Sequence, residues 1–207
     1  ILIGALGIFL MEQESEAFAG KTLSEQAAGA LFQSVTARTA GFNTVDTGIL
    51  TEGSKFVTIL LMFIGGSPGS TAGGIKTTTL IVLLVCVRAN IRQEHGYNIL
   101  DRRLDEESVR KACTVMCTNL LLMLTATIIM LALQPFALTD VLFETASAIG
   151  TVGMTTGITR SVCSASKIVL IFLMYCGRIG SLTFALSLRG NKHEPAVKQP
   201  VEQIMIG

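Results

Sequence analysis

Residues 36–44 read TARTAGFNT, and residues 146–157 read ASAIGTVGMTTG. Each stretch holds a T-x-G-Φ core, Thr39-Ala40-Gly41-Phe42 and Thr151-Val152-Gly153-Met154. Each core follows a short amphipathic segment with a Leu-Phe pair. One reads Leu31-Phe32-Gln33-Ser34, the other Leu142-Phe143-Glu144-Thr145. From Thr39 to Thr151 is 112 residues and from Leu31 to Leu142 is 111, so one residue is inserted between helix and loop. Self-similarity at this spacing marks an internal repeat. An extended T-x-G-Φ after a short helix can aim successive backbone carbonyls into a pathway, where they replace the hydration shell of an alkali cation. Gly suits the third position because it tolerates strained φ and close packing. The short helix turns its partially negative C-terminal end toward such a cation.

The surrounding composition is that of a bilayer protein. Of 207 residues, 50% are hydrophobic and only 15% charged, with a mean hydropathy of +0.59; soluble domains average about 25% charged. This excludes a disordered chain and a disulfide-rich miniprotein. A net charge of +1 gives no reason to expect a nucleic-acid partner. The five cysteines are scattered, mostly in apolar runs, and read as reduced, buried small hydrophobes.

Two apolar runs, 113–133 and 166–188, are long enough to cross a bilayer, the second with Lys167 at its edge and Arg178 near its middle. A third run is interrupted: Lys55 to Ile64 is apolar, GGSPGSTAGGIKTTT follows at 65–79, and Leu80 to Val87 is apolar again. This reads as a helix broken at membrane depth, where irregular backbone must be buried in protein or face water. The opening run 1–11 is too short to span and lacks the basic region of a signal peptide; it reads as the tail of a transmembrane helix. Residues 23–37 and 138–149 are also too short to span and have the size of re-entrant helices.

Charge sets the expected orientation. Arg88, Arg92, Arg102, Arg103, Arg110 and Lys111 fall in one loop, and Arg189, Lys192 and Lys198 in the tail, whereas 12–25 holds Lys21 against four glutamates. The positive-inside rule puts 88–111 and 189–207 in the cytoplasm and 12–25 outside. A helix–dip–helix unit then occurs twice.

These stretches resemble the third and fourth pore loops of the Trk/Ktr/HKT superfamily of potassium transporters. GGSPGSTAGGIKTTT resembles the gating loop of that family's third-repeat M2 helix, and CGRIGSLTFAL (176–186) its last helix. The closing PVEQIMIG resembles the C-terminus of the bacterial Ktr-type membrane subunit. The resemblance implies an all-α polytopic membrane protein with two M1–P–M2 repeats. Residues 1–87 would be the third repeat with a truncated M1, 88–111 a cytoplasmic connector, 112–190 the fourth repeat and 191–207 a cytoplasmic tail.

It also implies roles. Thr39, Ala40, Gly41, Phe42, Thr151, Val152, Gly153 and Met154 would line a selectivity filter, binding K+ through carbonyls only. The gate loop 65–77 would include Gly65, Gly66, Ser67, Gly69, Ser70, Thr71, Gly73, Gly74 and Lys76, approached by Arg178. Glycine at both visible filter positions favours potassium. The function implied is potassium uptake across the bacterial plasma membrane, with no bound cofactor and no enzymatic activity. Na+ is left open as a coupling or stimulating ion. The implied partners are a second copy in a membrane homodimer, a cytoplasmic RCK-type nucleotide-binding regulatory subunit, and lipid.

Blander readings stand beside these. The 65–79 stretch nearly matches a P-loop, but Ile75 separates Gly74 from Lys76; it could also be ordinary glycine packing or a kink. Cys113 and Cys117 lie one helical turn apart but lack further ligands, so packing is preferred to a metal pair. His95 and His193 read as solvated. Arg178 could anchor helices by a salt bridge, and Glu144 could sense cations or simply pair within the protein. The alternative functions are another membrane-embedded transporter and, less favoured because the expected spans hold no acid–base pair, a membrane enzyme or scaffold.

Overall fold

The computed structural model describes residues 1–70, 72–93, 96–99, 102–180 and 183. The expected gate residue Thr71, His95, His193 and the expected tail 191–207 lie outside these residues.

Seven α-helices carry the described fold: α1 Leu2–Glu12, α2 Leu23–Thr36, α3 Glu52–Phe63, α4 Thr77–Ile91, α5 Glu106–Leu133, α6 Leu138–Ile149 and α7 Ser164–Ile179. Local chemistry sets several of their ends. Thr22 and Glu25 form a reciprocal capping box at the start of α2: the Thr22 N–H donates to Glu25 Oε2 at 2.8 Å, and the Glu25 N–H to Thr22 Oγ1 at 3.4 Å. Thr51 caps α3 by accepting from the Ser54 N–H at 3.3 Å. The buried Glu12 carboxylate accepts from both the N–H and the hydroxyl of Thr51, at 2.8 and 2.7 Å, tying the end of α1 to the start of α3. Gly180, at φ 94°, leaves the α-region and ends α7.

Helix α6 is the centre of the fold. It packs on α3, α5 and α7, and Val141 and every residue from Phe143 to Ile149 is buried. One apolar cluster joins Met62 and Phe63 of α3 to Met123, Phe143 and Ala146, with Val152 and Met154 of the following loop. A second joins Met130 of α5, Val141 and Ile149 of α6, and Leu170 and Leu173 of α7. A third surrounds Ile8, Phe18, Ala30, Val45 and Leu50. The outward faces of α1, α5 and α7 expose Leu2, Ile3, Leu6, Leu121, Ile128, Ile168 and Ile171. An apolar surface of this kind is covered by lipid or protein rather than water.

Among the described residues one helix, Glu106–Leu133, is long and apolar enough to cross a membrane. The helical fold carries one short ladder among the described residues, β1 Asn98–Ile99 paired antiparallel with β2 Arg102–Arg103 in the connector. Gly96 at φ 107° turns the chain there, and Leu104 N–H closes the turn on Tyr97 O at 2.7 Å. The helix that carries the apolar run 113–133 begins at Glu106, because Glu106 and Glu107 favour a helix N-terminus and Glu107 pairs with Lys111 at 2.8 Å. The run 166–188 carries α7 from Ser164 to Ile179, and most of the run beyond Gly180 lies outside the described residues. The cysteines are free, but only Cys176 is buried; Cys86 and Cys163 are half-buried, and Cys113 and Cys117 are exposed on α5. Cys113 and Cys117 lie on the outward face of α5, while Ala112, Val115 and Met116 of the same helix turn inward.

Candidate functional site

The two T-x-G-Φ loops meet. A Cβ built on Gly41 would collide with the Val152 carbonyl oxygen and would lie 3.8 Å from the Gly153 Cα. Glycine is therefore needed at 41 for a close approach as well as for its φ of 75°. At Gly153, φ 90°, an added Cβ meets nothing within 4 Å and would project into open space.

The loops are not extended, contrary to expectation. Thr39 and Thr151 have φ 75° and 54°, and the glycines two residues on are left-handed as well. Ala40 and Val152 between them are not. A β-branched threonine at positive φ is strained, which costs about 1–3 kcal/mol and persists only where the surroundings impose it.

Those surroundings differ between repeats. In the first loop, Thr36 Oγ1 donates to Phe42 O at 2.7 Å and accepts from the Phe42 N–H at 2.9 Å. In the second, the Gly153 N–H donates to Ser147 Oγ at 3.2 Å, and Glu144 accepts from Thr155 and Thr159. Thr47 Oγ1, beyond the first loop, donates to Thr155 O beyond the second and joins the repeats. Met154 is buried while Phe42 is exposed.

The glycine-rich loop lies against the second T-x-G-Φ loop. Its neck is closed by backbone bonds: Gly65 N–H to Ile75 O at 2.8 Å, Ile75 N–H to Phe63 O at 3.1 Å, and Thr77 N–H to Gly66 O at 3.3 Å. Ser67, Gly69 and Ser70 form an exposed tip, where Ser70 Oγ donates to Ser67 O at 2.7 Å. Gly73 is buried, and its N–H donates to Thr151 Oγ1 at 3.0 Å. A Cβ on Gly73 would come within 2.8 Å of Thr151 Cγ2 and 2.9 Å of Ile149 O. Gly74, at φ 70°, lies over Gly150.

Two cavities flank this junction. One of 380 Å³ is lined by Ser70, Gly73, Gly74, Lys76 and Arg178. The other, of 610 Å³, is lined by Glu144, Ser147, Thr151, Gly153, Thr155 and Arg178. Arg178 thus borders both, and the structure brings together residues that the sequence spreads over a hundred positions.

Four contributors escaped the sequence reading. Gly150 and Gly177 let backbones touch: a Cβ on Gly150 would lie 2.8 Å from Met62 O, and one on Gly177 would collide with Ile149 O. Thr47 carried no signal beyond its place after the loop. Lys55 was read only as the edge of an apolar run, yet it is buried and donates to Glu52 at 3.2 Å and to Asp140 of α6 at 3.3 Å.

The chain is 36% identical over 207 residues to the Ktr system potassium uptake protein D of Bacillus subtilis, covering 100% of this chain and 46% of that protein. It is 36% identical over 214 residues to the potassium/sodium uptake protein NtpJ of Enterococcus hirae, covering 100% and 48%. The chain therefore spans about half the length of the curated relatives it matches. The crystal structure of the potassium transporter TrkH from Vibrio parahaemolyticus superposes with a TM-score of 0.70 at 22% identity, over 92% of this chain and 42% of that one. This likeness is one of fold. The model of the TrkH family, described as cation transport protein, matches residues 5–195, and the chain belongs to that family of membrane transporters, which are not enzymes.

Proposed function

We propose that the chain supplies two of the repeats that line the ion pathway of a potassium uptake protein, and that its T-x-G-Φ loops select the ion. The observation that carries this reading is the meeting of Gly41 with the Val152 carbonyl: two loops of one repeated pattern converge with their backbones in contact. Residues 1–87 and 112–190 would each be an M1–P–M2 unit, with α2 and α6 as re-entrant pore helices. Carbonyls of Thr39–Phe42 and Thr151–Met154 would coordinate K+ in place of water. Relatives named for potassium uptake support K+ as the ion, and one named for potassium and sodium uptake keeps Na+ as a second ion.

The glycine-rich loop 65–77 would be the gate. Its small residues let backbone lie in the pathway, and its own Lys76 lines one cavity with Arg178 of α7. Uptake would be driven by the membrane potential, worth ~2.3 kcal/mol per charge per 100 mV. The basic connector faces the cytoplasm by its charge. The word "system" in the relatives' names supports further subunits; a membrane homodimer and a cytoplasmic nucleotide-binding regulator are the proposed partners.

The test is rubidium or potassium uptake by the complete protein in bacteria lacking their own high-affinity uptake, wild type against Gly153→Ser. Loss of uptake, or of preference for potassium over sodium, with the protein still in the membrane is expected. Unchanged flux and selectivity would remove the loop from the pathway.

A further inference from the structure

One of the two repeated loops has a carboxylate behind it, and the other an amide. Aligning the Leu-Phe pairs puts Glu144 where the first repeat has Gln33. Glu144 is only 5% exposed. Its Oε1 accepts from the Thr155 hydroxyl, and its Oε2 from the Thr159 hydroxyl at 2.8 Å. Thr155 Oγ1 also accepts from the Gly157 N–H at 2.9 Å and lies 2.7 Å from Thr159 Oγ1. Thr155 directly follows Met154, so this network grips the outer limb of the 151–154 loop, and Thr47 of the other repeat holds the same residue's carbonyl.

The first repeat lacks this brace. Gln33 is 1% exposed, and neither of its amide atoms has a partner among the described residues. Counting back 112 residues from Thr155 gives Asn43, which is exposed. That loop is held from within its own limb by Thr36.

We propose that Glu144 is the positioning residue of the 151–154 loop and that it sets the loop's ion preference. The inference rests on the reading of that loop as selective. A carboxylate can accept from two hydroxyls at once, one on each oxygen, and bonds to a charged acceptor are shorter and stronger than neutral ones. Thr155 is thereby fixed in place, and with it the spacing of the carbonyls just before it. Selection between cations that differ by fractions of an ångström in radius depends on that spacing or on the field at the site, and a buried negative charge beside the loop contributes to both.

The variants separate the possibilities. Glu144→Leu removes both bonds and leaves Thr155 and Thr159 to each other. Glu144→Gln keeps one carbonyl acceptor and offers an N–H to the second hydroxyl, without the charge. Thr155→Val removes the link from the loop side. Gln33→Leu alters the matching position that has no partner.

The experiment uses the complete protein in bacteria lacking their own potassium uptake. Potassium half-saturation, maximal rate per molecule in the membrane, and inhibition by sodium are measured together. Glu144→Leu and Thr155→Val are each expected to lower the preference for potassium over sodium about tenfold, the scale of one lost bond to a charged group. Glu144→Gln should fall between, and Gln33→Leu should keep the wild-type preference. Wild-type preference in Thr155→Val and Glu144→Gln, with any loss confined to amount of protein or maximal rate, would overturn the inference. Those two variants carry the readout even where Glu144→Leu fails to reach the membrane. A wild type that moves no potassium would instead overturn the transport reading itself.

Discussion

The Thr151 hydroxyl accepts the Gly73 N–H at 3.0 Å. One side chain therefore joins the 151–154 loop to the glycine-rich loop. Among the described residues no hydrogen bond makes the same link from Thr39, its repeat partner. The hydroxyl oxygen that holds the glycine-rich loop belongs to a residue whose backbone is proposed to face the ion.

Thr151→Val keeps the shape of the side chain and removes the acceptor. A buried hydrogen bond contributes about 1 kcal/mol net, so its loss shifts a seated-to-released equilibrium of the loop by about fivefold. Higher basal uptake is expected in Thr151→Val, wild-type behaviour in Thr151→Ser, and no release of the loop in Thr39→Val. Ion flux through the complete protein in proteoliposomes checks all three. Equal basal flux in Thr151→Val and Thr39→Val would show that the hydrogen bond does not hold the loop.

Gly41→Ala should be worse tolerated than Gly153→Ala. Both residues have positive φ, which costs an alanine about 1–2 kcal/mol. Only at Gly41 does the new methyl also run into backbone, the Val152 carbonyl. The expected outcome is little folded protein for Gly41→Ala and a folded protein of altered ion preference for Gly153→Ala. Size-exclusion profiles in detergent and uptake assays distinguish them.

Gly177→Ala puts a methyl against Ile149 O and its carbonyl carbon, the latter at 2.9 Å. Neither atom can step aside without moving the end of α6. Overpacking of this kind costs about 1–3 kcal/mol, and a lower Tm is expected. Because Ile149 immediately precedes the Gly150–Thr151 turn, Gly177→Ala should also perturb ion preference. A lowered Tm with unaltered preference would separate this packing contact from the loop.

Lys55 links α3 to α6 through Asp140, with its side chain 9% exposed against 22% for the aspartate. Removing one partner strands the other charge. The loss is reduced by the solvent that still reaches Asp140. Lys55→Met should lower stability by about 2 kcal/mol, the scale of a bond to a charged group, and Lys55→Met/Asp140→Leu together should recover part of it. Thermal melts of the detergent-solubilised complete protein measure both.

Most of the helices were legible because lipid-facing and buried residues are both apolar, so long uncharged runs stand out. The break at 64–76 was legible from glycine density alone. The start of α5 was not: Glu106 to Lys111 reads as a solvated charged stretch, and its helicity comes from acidic residues at the N-terminus and the Glu107–Lys111 pair. The exposure of Cys113 and Cys117 was missed for a related reason. In a membrane helix an apolar run does not say which face turns inward.

The repeated T-x-G-Φ pattern, the broken helix and the distribution of basic residues were determined by sequence, because each is a matter of residue type and spacing. Tertiary structure decided what those patterns touch. The contact of Gly41 with Val152, the bond from Gly73 to Thr151 and the grip of Glu144 on Thr155 and Thr159 depend on where α3, α6 and α7 cross. Those crossings are set by glycines at 150 and 177 that let backbones approach. The sequence shows that both positions are glycine; only the packed helices show that a single methyl would not fit.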